Sequence, residues 1–157
     1  MKKLLLVSSI LIMLVGIAMS IGGVWGIIFT YKTVAYENIT TTEDSNIPNT
    51  PVRGPLTLKA QIDIIKTHMF KTTGGKTYAE MPRQIEKLDS AGKAILGDDG
   101  KPVMVTNGAR DMWVTAMTLI SALSLGILSY AFSGFVFVSG LILILLGVIF
   151  IALSKKY

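Results

Sequence analysis

From Met112 to Ser154 the chain runs 43 residues without a charged side chain, between Arg110-Asp111 and Lys155-Lys156. A helix needs about 20 apolar residues to cross a hydrocarbon core of about 30 Å. The run is about twice that length, and Ser129-Tyr130-Ala131-Phe132-Ser133-Gly134 near its middle offers small and polar residues for a turn. The sequence therefore predicts a transmembrane helical hairpin over 112–157. A turn that stops short of the far side would make the hairpin re-entrant.

A second uncharged run, Leu4 to Tyr31, covers 28 residues behind Lys2-Lys3. A positive segment before an apolar core also describes a secretory signal peptide, with Ala18-Met19-Ser20 as a tolerable cleavage site. The run continues well past that site, however, to about 42 Å as a helix. Trp25 and Tyr31 near its far end suit a membrane–water interface. Residues 1–31 are thus expected as an uncleaved N-terminal transmembrane helix, the first of three. Because the first helix usually sets orientation, the N-terminus is placed in the cytoplasm and the loop outside. Three spans then leave Lys155-Lys156 outside, against the tendency of basic residues to remain inside. Small residues one turn apart let helix backbones approach closely. Gly16 with Ser20, Gly22 with Gly26, and Ala122 with Gly126 are candidate packing positions, for the chain's own helices or for a partner.

Residues 32–111 have the composition of a water-exposed loop domain. Eleven basic and ten acidic residues nearly cancel there, so the overall charge of +5 rests largely on the two lysine pairs. No basic stripe marks a nucleic-acid partner. Thr40 to Arg53 reads as a linker or surface loop, preceded by the sequon Asn38-Ile39-Thr40, where N-glycosylation of Asn38 requires a glycosylating compartment. Leu58, Ile62, Ile65 and Met69 form the apolar stripe of a helix at about 56–72, started by Pro55 and stopped by Gly74-Gly75. Tyr78 to Ser90 is expected to hold a short helix broken near Pro82. Two β-prone runs around Gly97-Asp98-Asp99-Gly100-Lys101 predict a hairpin at about 93–105. Asn107 is placed to cap the next helix.

Chemistry-bearing residues are sparse. There is no Cys, and His68 is the single His, so one chain cannot supply a two-His iron site. Thr73-Gly74-Gly75-Lys76-Thr77 resembles the end of a phosphate-binding loop, but the required leading glycine is Phe70. Asp98-Asp99 and Glu43-Asp44 read as solvated turn and loop carboxylates. Neither apolar run contains an ionisable group of the kind that marks transport pathways.

Glu37-Asn38-Ile39-Thr40, Gly54-Pro55-Leu56-Thr57-Leu58-Lys59-Ala60-Gln61 and Thr73-Gly74-Gly75-Lys76-Thr77-Tyr78-Ala79-Glu80-Met81 make the chain resemble a group of uncharacterised prokaryotic membrane proteins, mostly actinobacterial. Members are sometimes mislabelled aromatic ring-opening dioxygenase. The resemblance implies an N-terminal helix, an exposed domain and a C-terminal membrane hairpin, and implies no activity.

The expectation is a mainly α membrane protein with three transmembrane helices and a small α+β extramembrane loop domain. Its expected role is a non-enzymatic structural or accessory subunit without a cofactor or metal. The bilayer and another membrane protein, or further copies of itself, are its partners. The second reading is an extracytoplasmic ligand-binding or sensing module with a recognition surface at Gly74, Gly75, Tyr78 and Met81. A membrane enzyme is third.

Overall fold

The computed structural model describes residues 2–156. Two long helices, α1 (Lys2–Tyr36) and α3 (Gly108–Lys156), enclose in sequence α2 (Pro55–Thr72) and two short strands, β1 (Gln84–Glu86) and β2 (Met104–Thr106). Both long helices are apolar enough to cross a membrane, and only 11% of the most apolar 18-residue window of each is buried. A core helix of a soluble protein would be mostly covered, so these two present hydrocarbon outward on most of their surface.

α1 and α3 pack antiparallel along a seam of small residues. The buried residues of α1 are Ser9, Gly16, Gly23 and Thr30, each seven positions after the last. In α3 the same interval links Ser133, Gly140, Gly147 and Ser154. A period of seven keeps one narrow face turned to a neighbour as two helices wind left-handedly round each other. Closeness is set by the glycines: a Cβ on Gly16 would lie 2.7 Å from the Gly140 carbonyl oxygen, and one on Gly23 2.6 Å from the Phe137 amide nitrogen. Ser20 Oγ donates to the Gly16 carbonyl (2.9 Å), which keeps its hydroxyl paired inside the seam.

α3 is one uninterrupted helix of 49 residues, about 73 Å long at 1.5 Å per residue, where the sequence predicted a hairpin. The turn-like residues 129–134 serve helix contacts instead. Thr30 Oγ1 donates to the Gly26 carbonyl and lies 2.6 Å from Ser129 Oγ, which is left as the donor between them. Tyr130 donates its hydroxyl to the Arg53 carbonyl, and Ser133 sits directly against Gly26. Gly134 faces open space, and an isolated glycine without proline costs a helix only about 1 kcal/mol.

The antiparallel register brings Ser9 against Gly147 and Thr30 against Ser129. Lys2 and Lys3 therefore lie at the same end of the helix pair as Lys155 and Lys156. At the opposite end α3 extends beyond α1, and its first half carries the rest of the chain.

There α2 packs on α3 through Leu58 and Ile62, which join Val52, Ile120 and Leu123 in the buried core, with Val34, Ile39, Ile65, Ile127 and Tyr130 at its edge. Pro55 opens α2, and the Thr57 hydroxyl accepts the Gly54 amide (3.1 Å), a cap that glycine cannot supply itself. Gly74 and Gly75 close it at positive φ, the Gly75 amide reaching back to the Phe70 carbonyl (2.8 Å).

The segment 37–54 forms a closed loop rather than an open linker. Buried Thr41 accepts the Thr50 amide (2.9 Å) on its hydroxyl and donates its own amide to the Thr50 carbonyl (3.0 Å). Asn38 adopts φ 50° just past α1, a left-handed position that Asn tolerates well.

Strands β1 and β2 pair antiparallel, Gln84 opposite Thr106 and Glu86 opposite Met104. This replaces the short helix expected within Tyr78–Ser90. Beyond them Lys87, Val103 and Ile95 exchange backbone bonds in a closed ring, each at 2.8 Å. The turn around Gly97–Lys101 is present as a bridge between Leu96 and Pro102.

Candidate functional site

The residues that the sequence marked for helix packing divide by position. Gly16, Ser20 and Gly26 lie in the α1–α3 seam, whereas a Cβ on Gly22 would meet nothing within 4 Å. Gly126 faces Leu58 of α2 and Val34 of α1, and Ala122 is exposed. Sequence reasoning at a four-residue interval missed Ser9, Gly23, Ser133, Gly140, Gly147 and Ser154. The seven-residue interval was the signal that could have found them.

The expected recognition surface does not assemble as one patch. Met81 is buried, and its carbonyl accepts Arg110 Nη1 at 2.6 Å. The Arg110 guanidinium also lies 3.8 Å from the centre of the Tyr78 ring, so Tyr78 and Met81 anchor the segment after α2 to the first turn of α3. Gly74 and Gly75 are exposed and shape the end of α2.

His68 Nε2 lies 2.7 Å from Asp44 Oδ2, fastening the 37–54 loop to α2. Hydrogen bonds from Thr42 and then His68 hold the Asp44 carboxyl below its ordinary value. The same direction holds for Glu80, whose carboxylate accepts the amide (2.7 Å) and hydroxyl (2.8 Å) of Thr77. Both carboxylates are tied to turns, and no group of three or more His, Asp or Glu side chains suited to a metal occurs among the described residues.

A continuous exposed stripe on α3 remains. Val114, Met117, Leu125 and Leu128 are each at least 40% exposed, and the row continues through Phe132 and Phe135. Thr118 and Ser121 complete it, their hydroxyls bonded back to the carbonyls of Val114 and Met117 at 2.9 and 2.8 Å. The stripe therefore presents methyl, thioether and small side chains with no free donor directed outward. Its first half lies beyond the end of α1, on the part of α3 that α2 packs against. Exposed apolar surfaces of this extent mark sites of contact with protein or membrane.

No family model, curated protein or solved structure matches the chain.

Proposed function

We propose that the protein is a two-span membrane subunit that holds its middle domain outside the cytoplasm and docks another membrane protein along the exposed stripe of α3. The observation that carries this reading is the antiparallel pair with all four terminal lysines at one end. Two spans allow both lysine pairs to stay in the cytoplasm, which removes the conflict created by three spans. Residues 4–31 of α1 and about 128–154 of α3 then cross the bilayer together. The remaining uncharged half of α3, Met112 to Ile127, rises above it.

That half explains the need for a partner. Its α2-facing side is covered, but Val114, Met117, Ser121 and Leu125 are not. The stripe runs without a break into the lipid-facing Phe132 and Phe135, so a fitting partner is itself a membrane protein whose helix also rises above the bilayer. The small-residue seam and the inner stripe of α2 are occupied within the chain, which leaves this face as the docking surface. The role is that of an accessory or structural subunit, acting through contacts rather than chemistry.

Photocrosslinkable residues at Met117 and Leu125, introduced singly in native membranes, test this. One protein of defined mass joined from both positions, and not from exposed Leu96 on the strand layer, is the expected result. Crosslinks to further copies of the chain would replace the accessory role with homo-oligomerisation. Crosslinks to lipid alone from both positions would remove the docking reading.

A further inference from the structure

A cavity that shares Leu125 with the exposed stripe lies on the neighbouring side of α3, between the last turns of α1 and the first turns of α2. It encloses about 690 Å³, within the range of about 300–1,000 Å³ typical of small-molecule sites. Val34, Leu58, Ile65, Leu119 and Leu123 form its apolar walls, and Phe29, Leu125 and Ser129 its lower edge. Phe29 and Leu125 are 55% and 64% exposed, so that edge continues into the outward hydrocarbon surface of the helix pair. Phe29 also stacks on Trp25 one turn below, at 5.3 Å between ring centres.

The polar groups around this cavity are not equivalent. Thr30 and Ser129 satisfy each other and the Gly26 carbonyl. Gln61 lines the wall, and its Oε1 is buried with no hydrogen-bond partner among the described residues. That oxygen is sealed from water, so a molecule lying in the cavity does not reach it, and it selects no head group. Glu37 also lines the cavity, exposed and without an ion-pair partner among the described residues. Its negative charge opposes an anionic head group.

We infer that this cavity binds the hydrocarbon chain of a single-chain lipid from the outer leaflet, one with an uncharged head group. The inference rests on the membrane insertion proposed above, because the cavity's lower edge would then lie at the upper boundary of the bilayer. The apolar walls suit a hydrocarbon chain, and the Glu37 charge disfavours an anionic head group.

The test uses the full chain in phosphatidylcholine nanodiscs, photolabelled with monooleoylglycerol carrying a diazirine in its chain. Oleate bearing the same diazirine is the anionic comparison. Label from the monoglyceride is expected on peptides containing Leu58, Ile65 and Leu119, about tenfold above label from oleate. Ala122→Phe fills the cavity from an exposed position and is expected to abolish that label. Glu37→Gln removes the charge and is expected to raise the oleate label to within about twofold of the monoglyceride label. Equal labelling by oleate would overturn the head-group assignment. Cavity label unchanged in Ala122→Phe, or absent while Trp25 and Phe135 are labelled, would overturn the site and leave the membrane reading intact. Absence of label from Trp25 and Phe135 as well would overturn both.

Discussion

Gly22 and Gly23 adjoin in sequence and differ completely in surroundings. An added Cβ at Gly22 meets open space, and one at Gly23 meets the Phe137 backbone at 2.6 Å. Helix backbones cannot yield as a side chain does, so Gly23→Ala should separate α1 from α3 at a cost of about 1–3 kcal/mol. Gly22→Ala should leave stability unchanged or slightly raised, since alanine favours a helix. Thermal unfolding of the two variants in one detergent checks the pair, and equal loss from both would contradict the seam. At Asp44 the prediction concerns pH. Its folded carboxyl titrates below the ordinary value of 3.8, chiefly through the Thr42 hydrogen bond and next through His68. The contribution is therefore present above the unfolded value and lost as pH falls through the folded one. Amide exchange across 41–50, corrected for intrinsic rate, should rise in that acid window. In Asp44→Asn this rise should be absent.

The elements show which patterns the sequence made readable. The apolar repeat Leu58, Ile62, Met69 is buried in α2, and Pro55 and Gly74-Gly75 bracket that helix. Both apolar stretches were legible from the absence of charge alone, α1 as one helix, but α3 was read as a hairpin of two. What misled at residues 129–134 was polarity: Ser129, Tyr130 and Ser133 look like a turn in isolation, and become helix contacts only when Thr30, Arg53 and Gly26 are opposite them. Those partners are remote in sequence, so local pattern could not reveal them. Strand β1 was missed for the same reason. Ile85 and Leu88 sit at a helical interval, but Gln84–Glu86 is held by pairing with Met104–Thr106. The small-residue seam, by contrast, was written in the chain at a seven-residue period. Because the protein has no native Cys, disulfide pairing can test α3 directly. Thr30→Cys with Ser129→Cys should oxidise readily, since their hydroxyls touch. Leu125→Cys with Val138→Cys should not, being about 20 Å apart along one helix. A hairpin turning at 129–134 would bring the second pair together.

At the scale of the whole molecule, helix length and charge placement act together. α3's uncharged run would span about 65 Å as a helix, and fitting it into a core of about 30 Å would demand a tilt beyond the observed range of about 0–40°. In the proposed arrangement α1 selects which part crosses, because its own apolar run pairs with the last half of α3. The first half becomes a mast that supports α2 and the closed loop, and exposes the stripe at Met117 and Leu125. A charge placed there should interfere with association and not with folding: Ser121→Arg should abolish crosslinking from Met117 while the unfolding temperature stays within a few degrees of the parent, by about the small effect usual for exposed positions. Loss of the fold instead would mean that this face is packed within the chain.

The arrangement is tested most directly by the sidedness of three single cysteines, Lys3→Cys, Asp98→Cys and Lys155→Cys, treated in intact cells with a membrane-impermeant maleimide. Two antiparallel spans require Asp98→Cys to react from outside, and Lys3→Cys and Lys155→Cys to react only after the membrane is opened. Reaction of both Asp98→Cys and Lys155→Cys in intact cells, with Lys3→Cys protected, would contradict the two-span account and restore a third crossing.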